Sequence, residues 1–224
     1  MSQPATRTSR IVNQYRRYLD ASDSLDFFRT VNESYTVDTL LTLLRRGDSE
    51  SRRASALALS MVGDVRATEA LGHRLSDRDR GVRLIADDAF RAILVRDAAP
   101  SHHQNLLQVM HLNDGGEFAA ALTPAMVLVQ QAPRYAEAHH QLAIAYLGLQ
   151  EYASADCAFR NCLWHCRFHY LAWSGLADCR RAIGDQREAL KHLHRAIAIC
   201  PDFESARIQA RAIRRSLNRN PPTH

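Results

Sequence analysis

Cys162, His165, Cys166 and His169 are the residues whose types and spacing come nearest to chemistry. Separated by three and four positions, they share one face of a helix, and a thiolate–imidazole set of that kind suits Zn²⁺. Cys157 precedes them by five. Against a metal, no CxxC pair occurs, and Cys166 and His169 fall at a helix end where a tetrahedral site would need a fixed loop. Cysteine also fills small buried positions readily, so Cys162 and its neighbours read as packed thiols and no metal is expected. His102-His103 and His139-His140 stand at helix starts, where neutral imidazoles can face solvent. Asp77, Asp79, Asp87 and Asp88 lie among Arg78, Arg80, Arg83 and Arg91 and read as charge balance. The serines occupy caps and turns, with no GxSxG and no Walker-type loop. No catalytic residue can be named, so neither an enzyme nor a cofactor is expected.

Helices must carry these side chains. Of 224 residues, 46% are apolar and only 7% aromatic, with few Gly and Pro, a balance that favours helix over sheet. The formal net charge is +5, and Lys191 is the single lysine among 29 basic residues. All five cysteines lie between 157 and 200, an odd number that suits a reducing compartment better than disulfides. Met1 to Arg10 lacks an apolar h-region, and no run approaches the ~20 apolar residues that cross a bilayer. A cytoplasmic protein without a membrane partner is expected.

Two periods organise the chain. In the second half Leu142 returns as Leu176, Ala143 as Ala177, Leu163 as Ile197, and Ala121, Ala155 and Ala189 repeat at 34 residues. Such a period marks an array of helical hairpins. In the first half a shift of 31 carries Leu40 to Leu71, Leu44 to Leu75, Asp48 to Asp79, Arg52 to Arg83, Ala58 to Ala89 and Val62 to Ile93. The expected organisation is a disordered 1–8, capping helices over 9–35, repeats at 36–66 and 67–97, units at 102–135, 136–169 and 170–203, a capping helix at 204–219 and a disordered 220–224. Locally, Ser9 is expected to cap the first helix, Gly47 to take the C′ position after a helix over 37–46, and Pro124 to bend or shorten its helix. Asp97 to Ser101 reads as a short joint between arrays that stack continuously.

The 34-residue units resemble tetratricopeptide repeats. They carry the small residue (Ala121, Ala155, Ala189), the turn aromatic (Phe118, Tyr152, then Gln186), the turn glycine (Gly116, Gly184, with Gln150 between) and the closing proline (Pro133, Pro201, with Arg167 between). The large first-helix residue is Trp173 in the third unit, against Asn105 and His139 in the others. The 31-residue units, "GDSESRRASALALSMVGD" and "DRDRGVRLIADDAFRAILVRD", resemble HEAT-like repeats of the phycobilisome-lyase type. Together the resemblances imply an all-α, right-handed α-solenoid.

They also imply a non-catalytic scaffold that binds a protein or peptide partner on the concave face of the first helices. The implied lining is His103, Leu106, Met110 and Asn113, then Glu137, His140, Ile144 and Leu147, then Leu171, Ser174, Asp178 and Arg181. The Lys–Asn–Arg clamp for C-terminal carboxylates is missing, because Leu106 and Met110 stand where Lys and Asn would be. Acidic chaperone tails are therefore not expected, and an amphipathic helix or extended apolar peptide is. A neighbouring segment of the same chain is the other candidate occupant. Nucleic acid is the alternative partner, through Arg45, Arg46, Arg52 and Arg53 or the Arg207–Arg219 face. However, residues 1–100 hold 16 basic against 14 acidic side chains, so no strong field follows. Lyase-like tetrapyrrole handling is a third, weaker implication, resting on residues 36–97 alone.

Overall fold

The structure, a computed structural model, describes residues 9–96 and 99–219. The expectations for 1–8 and 220–224, and residues 97 and 98 of the expected joint, lie outside these. The fold is all-α, 83% helical, with helices packed in consecutive pairs and no strand among the described residues. The chain divides into two compact units, one ending at Ile93 and the other beginning at Leu94.

The first unit holds α1 (Arg10–Ala21), α2 (Ser24–Ser34), α3 (Val37–Arg46), α4 (Ser49–Val62), a 3₁₀ turn (Val65–Ala67), α5 (Thr68–Arg74) and most of α6 (Arg80–Arg96). Side-chain caps set the starts. Asp23 accepts from Leu25 and Asp26, Thr36 from Thr39, Asp48 from Ser51 at 2.8 Å, and Asp79 from Val82 at 2.9 Å. Ser9 holds the N-cap position of α1, but its hydroxyl is buried and makes no cap bond, contrary to expectation. Gly47 differs too. Its φ is −70°, so it is not a left-handed C′ residue. Glycine is needed there because a Cβ would lie 2.6 Å from the Leu43 carbonyl oxygen and 2.7 Å from Ser51 Cβ. Leu40, Leu44, Leu59, Leu71, Leu75, Phe90 and Ile93 are fully buried and form the core.

The repeated Arg and Asp of this unit form a latch. Arg52 donates to the Gly47 carbonyl at 2.8 Å and reaches Asp77 at 2.9 Å, in the turn of the following repeat. Arg53 grips Asp79 through two bonds of 2.9 and 2.6 Å. One period on, Arg83 donates to the carbonyl of Asp77 at 3.0 Å. Asp77 also accepts from Arg74 and from the Asp79 amide. Burial pushes its carboxyl up, but these donors outweigh burial and hold it below the ordinary range.

The second unit holds α7 (Pro100–Asp114), α8 (Phe118–Gln131), α9 (Ala136–Gly148), α10 (Tyr152–His165), α11 (Tyr170–Ala182), α12 (Gln186–Ile199) and α13 (Glu204–Arg219). The starts of α8, α10 and α12, and of α9, α11 and α13, recur every 34 residues. Each hairpin turns through a residue of positive φ: Gly116 at 75°, Gln150 at 63° and Gly184 at 85°. Aromatic rings set the hairpin spacing. A Cβ on Gly175 of α11 would fall 2.1 Å from the Phe159 ring of α10, and one on Gly148 of α9 would fall 2.3 Å from Phe118 of α8. Pro124 does not shorten α8, which runs through it. The carbonyl it deprives of a donor is that of exposed Ala120, which water can satisfy. Along α13, Ala206, Ala210 and Ile213 are buried while Arg207, Arg211, Arg214, Arg215 and Arg219 are exposed. Contacts run from α7 to α9 and from α9 to α11, whereas α8, α10 and α12 share none of comparable extent. The first helices therefore form the inner, more tightly curved layer of this unit.

Candidate functional site

The inner layer is less apolar and less open than its sequence implies. Leu106 on α7 is fully buried, in a cluster with Leu128, Tyr135 and Ala138 against which Met110 packs. His140 on α9 is only 6% exposed. Leu106 and His140 therefore face the interior and present no surface to a partner. Ile144, Leu147 and Leu171 are half-buried, as are Met110 and Asp178, and Arg181 is exposed. Asp178 pairs with Arg181 at 3.0 Å, one turn on along α11, while burial pushes its carboxyl up. His103 donates instead to the Val95 carbonyl at 2.9 Å.

A buried polar chain crosses the layer. Asn113 on α7 donates to the Gln141 carbonyl and to its side-chain oxygen, both at 2.9 Å. Gln141 Nε2 donates to Glu137 Oε1 at 2.8 Å, and His140 Nδ1 meets the same oxygen at 3.0 Å. His169, the N-cap of α11, reaches Glu137 Oε2 from its Nε2 at 3.0 Å. Its Nδ1 accepts from the Ala172 amide at 3.2 Å, so the proton of the neutral ring belongs on Nε2. Helical spacing puts Glu137, His140 and Gln141 on one face of α9, and the connection between α10 and α11 delivers His169 to it. Burial raises the Glu137 carboxyl, yet the His140 and His169 rings pull it further down and keep it ionised. Burial pushes the His169 imidazole down, helped by His140 and opposed by Glu137.

Three donors thus converge. Glu137, His140 and His169 are all buried and offer atoms that lie within 4.8 Å of one another, a set able to hold a metal ion. The Cys162, His165, Cys166 and His169 set does not converge in this way. His165 is exposed and stacks on His139 at 5.4 Å between ring centroids, while His169 turns to Glu137. Cys162 is fully buried, and burial with the nearby Glu137 charge raises its thiol well above the usual range. None of the five cysteines forms a disulfide, and Cys157 is exposed while the rest are buried. His139 and His140 do not face solvent as expected. His139 Nε2 meets the Pro133 carbonyl at 2.9 Å, and both residues are buried, with His139 against His165 and His140 against Phe159 of α10. The missed signal was the 34-residue register itself. His140 stands where Leu106 does one unit earlier, and His169 stands between Tyr135 and Phe203.

Much of the basic content is already paired. Arg16 bonds Glu50, Arg52 and Arg53 bond Asp77 and Asp79, Arg160 and Arg180 share Asp156, and Arg207 bonds Glu204. Among the described residues, no helix is long and apolar enough to cross a membrane.

The family model for HEAT repeats matches residues 21–91, a segment that also takes in α2. Comparison with curated proteins gave no match. Among solved structures, the chain is similar to the first TPR domain of Spaghetti (RPAP3) bound to the HSP90 peptide SRMEEVD. That likeness has a TM-score of 0.50 and 20% identity, and covers 52% of this chain and 93% of that one. A thermophilic TPR protein of Thermus thermophilus is also similar, at 21% identity and a TM-score of 0.40 over 83% of this chain and 96% of that one. The chain is thus all-helical, with a HEAT-repeat match over residues 21–91 and a fold similar to that of a TPR protein.

Proposed function

We propose that the second unit binds a protein or peptide partner along the inner layer of α7, α9 and α11, without catalysis. The observation that carries this reading is that layer itself, on which Ile144, Leu147 and Leu171 keep part of their apolar surface in water. Asp178 and Arg181 supply polar fixtures on α11. An amphipathic helix or an extended, mainly apolar peptide suits such a face. The RPAP3 domain, bound to its peptide, supports a peptide as the class of partner. The acidic sequence of that peptide is not carried over, because Leu106 and Met110 replace clamp positions and Leu106 is buried.

The test is affinity purification from the native cell, comparing the wild-type chain with Ile144→Asp/Leu147→Asp/Leu171→Asp. The expected result is loss of a recurrent partner while far-UV circular dichroism stays helical. A partner that survives the triple change overturns the inner-layer assignment. Leu106→Asp serves as the contrast, since it tests folding: a charge at a fully buried position has no pair to meet it.

A further inference from the structure

The geometry points to a buried divalent-metal site formed by Glu137, His140 and His169, which ties the second 34-residue hairpin to the third. Two imidazoles and a carboxylate form a donor set for a borderline transition ion such as Zn²⁺. They come from two elements. Glu137 and His140 lie one turn apart on α9, and His169 caps α11. Imidazole and carboxylate donors around tetrahedral Zn²⁺, at about 2.0–2.1 Å from the ion, lie roughly 3.3 Å from one another. Glu137 already stands 3.0 Å from each imidazole, and all three donor atoms fall within 4.8 Å. Loading the site therefore asks for small displacements of side chains that are 8%, 7% and 2% exposed.

Charge argues the same way. Glu137 is a buried carboxylate whose hydrogen-bond partners are Gln141 and two histidines, with no Arg or Lys bonded to it among the described residues. An anion taken from water without a fixed cation is costly, and a bound divalent ion supplies the missing charge. Coordination has one defined local cost. If His169 binds through Nε2, its proton moves to Nδ1, and the Ala172 amide loses its acceptor. The site is separate from the partner face proposed above, because all three of its ligands are buried.

The experiment uses the untagged full chain, stripped with chelator and titrated with Zn²⁺ and, in parallel, Co²⁺. One equivalent is expected to bind, Co²⁺ is expected to give visible absorption of a four-coordinate site, and saturating Zn²⁺ is expected to raise Tm by about 5 °C. Glu137→Gln keeps the shape but loses the charge. His169→Asn keeps an acceptor for Ala172 while deleting the imidazole. Each is expected to weaken binding at least 10-fold. Cys157→Ser and His165→Asn, which alter an exposed thiol and an exposed ring, are expected to bind as wild type. Should wild-type protein take up no stoichiometric metal and keep its Tm, the proposal is overturned. It is equally overturned if binding follows Cys157 or His165 instead of Glu137 and His169.

Discussion

The two units solve the same problem, stacking helical hairpins, with different materials. In the 31-residue array the repeated residues are charged and sit at turns. Asp48 and Asp79 cap α4 and α6, the second helices of the two repeats, while Arg52 and Arg83 reach back to turn carbonyls. In the 34-residue array the repeated features are steric. Three positive-φ turns recur at that period, and at two positions out of register with each other a ring seats against a glycine of the next helix, Phe118 on Gly148 and Phe159 on Gly175. The first kind of joint is sensitive to pH and salt, the second to the addition of a single side chain. Each contrast can be broken by substitution.

The largest effect belongs to the second unit. Gly175→Leu forces a side chain into the space held by Phe159, itself 1% exposed, and no flexible end can yield. A loss of about 3 kcal/mol is expected. Both tryptophans, Trp164 and Trp173, lie in this unit, so their fluorescence during urea unfolding measures the loss directly. Gly148→Leu should cost less, because Phe118 is only half-buried and can give way. Equal costs at the two positions would sink the idea that ring burial decides. In the first unit the comparable change is Asp77→Ala. It strips the Arg52 and Arg74 guanidiniums and the Asp79 amide of a shared acceptor, and about 2 kcal/mol should be lost in thermal unfolding followed by circular dichroism.

These joints explain what the sequence let through. Periods of 31 and 34 made the hairpins legible because each unit repeats the same burial pattern, and Ala121, Ala155 and Ala189 are all buried as small-residue positions require. The turn at Gln150 was legible only by register, since its residue type disguises a left-handed backbone. Leu106 was misplaced because a groove offset fixes a helical face but not how deeply that face is covered. The Glu137–His140–His169 cluster was hidden for a similar reason. Its members lie up to 32 positions apart, and only packing of α9 against α11 shows that they meet. The cysteine–histidine face drew attention through sequence proximity, although His165 and His169 point to different neighbours.

The charged latch should also show in acid. The Arg53 guanidinium bonded to Asp79, aided by the Val82 amide, lowers that carboxyl from 3.8 to about 2. A folded pKa below the unfolded one means that the stabilisation is complete above the unfolded value and fades as pH falls from about 4 towards 2. Arg53→Ala should remove most of this pH-dependent increment, so wild type and variant should converge in stability as pH falls through that window. Asp79 keeps about a quarter of its side chain in water, so screening limits the neutral-pH difference to about 1 kcal/mol. A difference that persisted unchanged at pH 2 would assign the loss to packing of the arginine stem rather than to the ion pair.

The smallest expected effect is a gain, and it isolates the steric side of the contrast most cleanly. Gln150 holds φ at 63° where Gly116 and Gly184 hold 75° and 85°, so the second hairpin adopts the same turn without the residue that adopts it freely. A side chain in the left-handed region costs about 1 kcal/mol, while glycine adds unfolded-state entropy that offsets part of any relief. Gln150 is exposed, so no packed surface is lost when it is removed. Gln150→Gly should therefore raise the urea midpoint of tryptophan fluorescence by the equivalent of about 0.5 kcal/mol. Gln150→Ala, which keeps the strained backbone and deletes only the side-chain end, should leave it unchanged. If both variants moved the midpoint alike, the strain at this turn would not be what distinguishes the second hairpin from its neighbours.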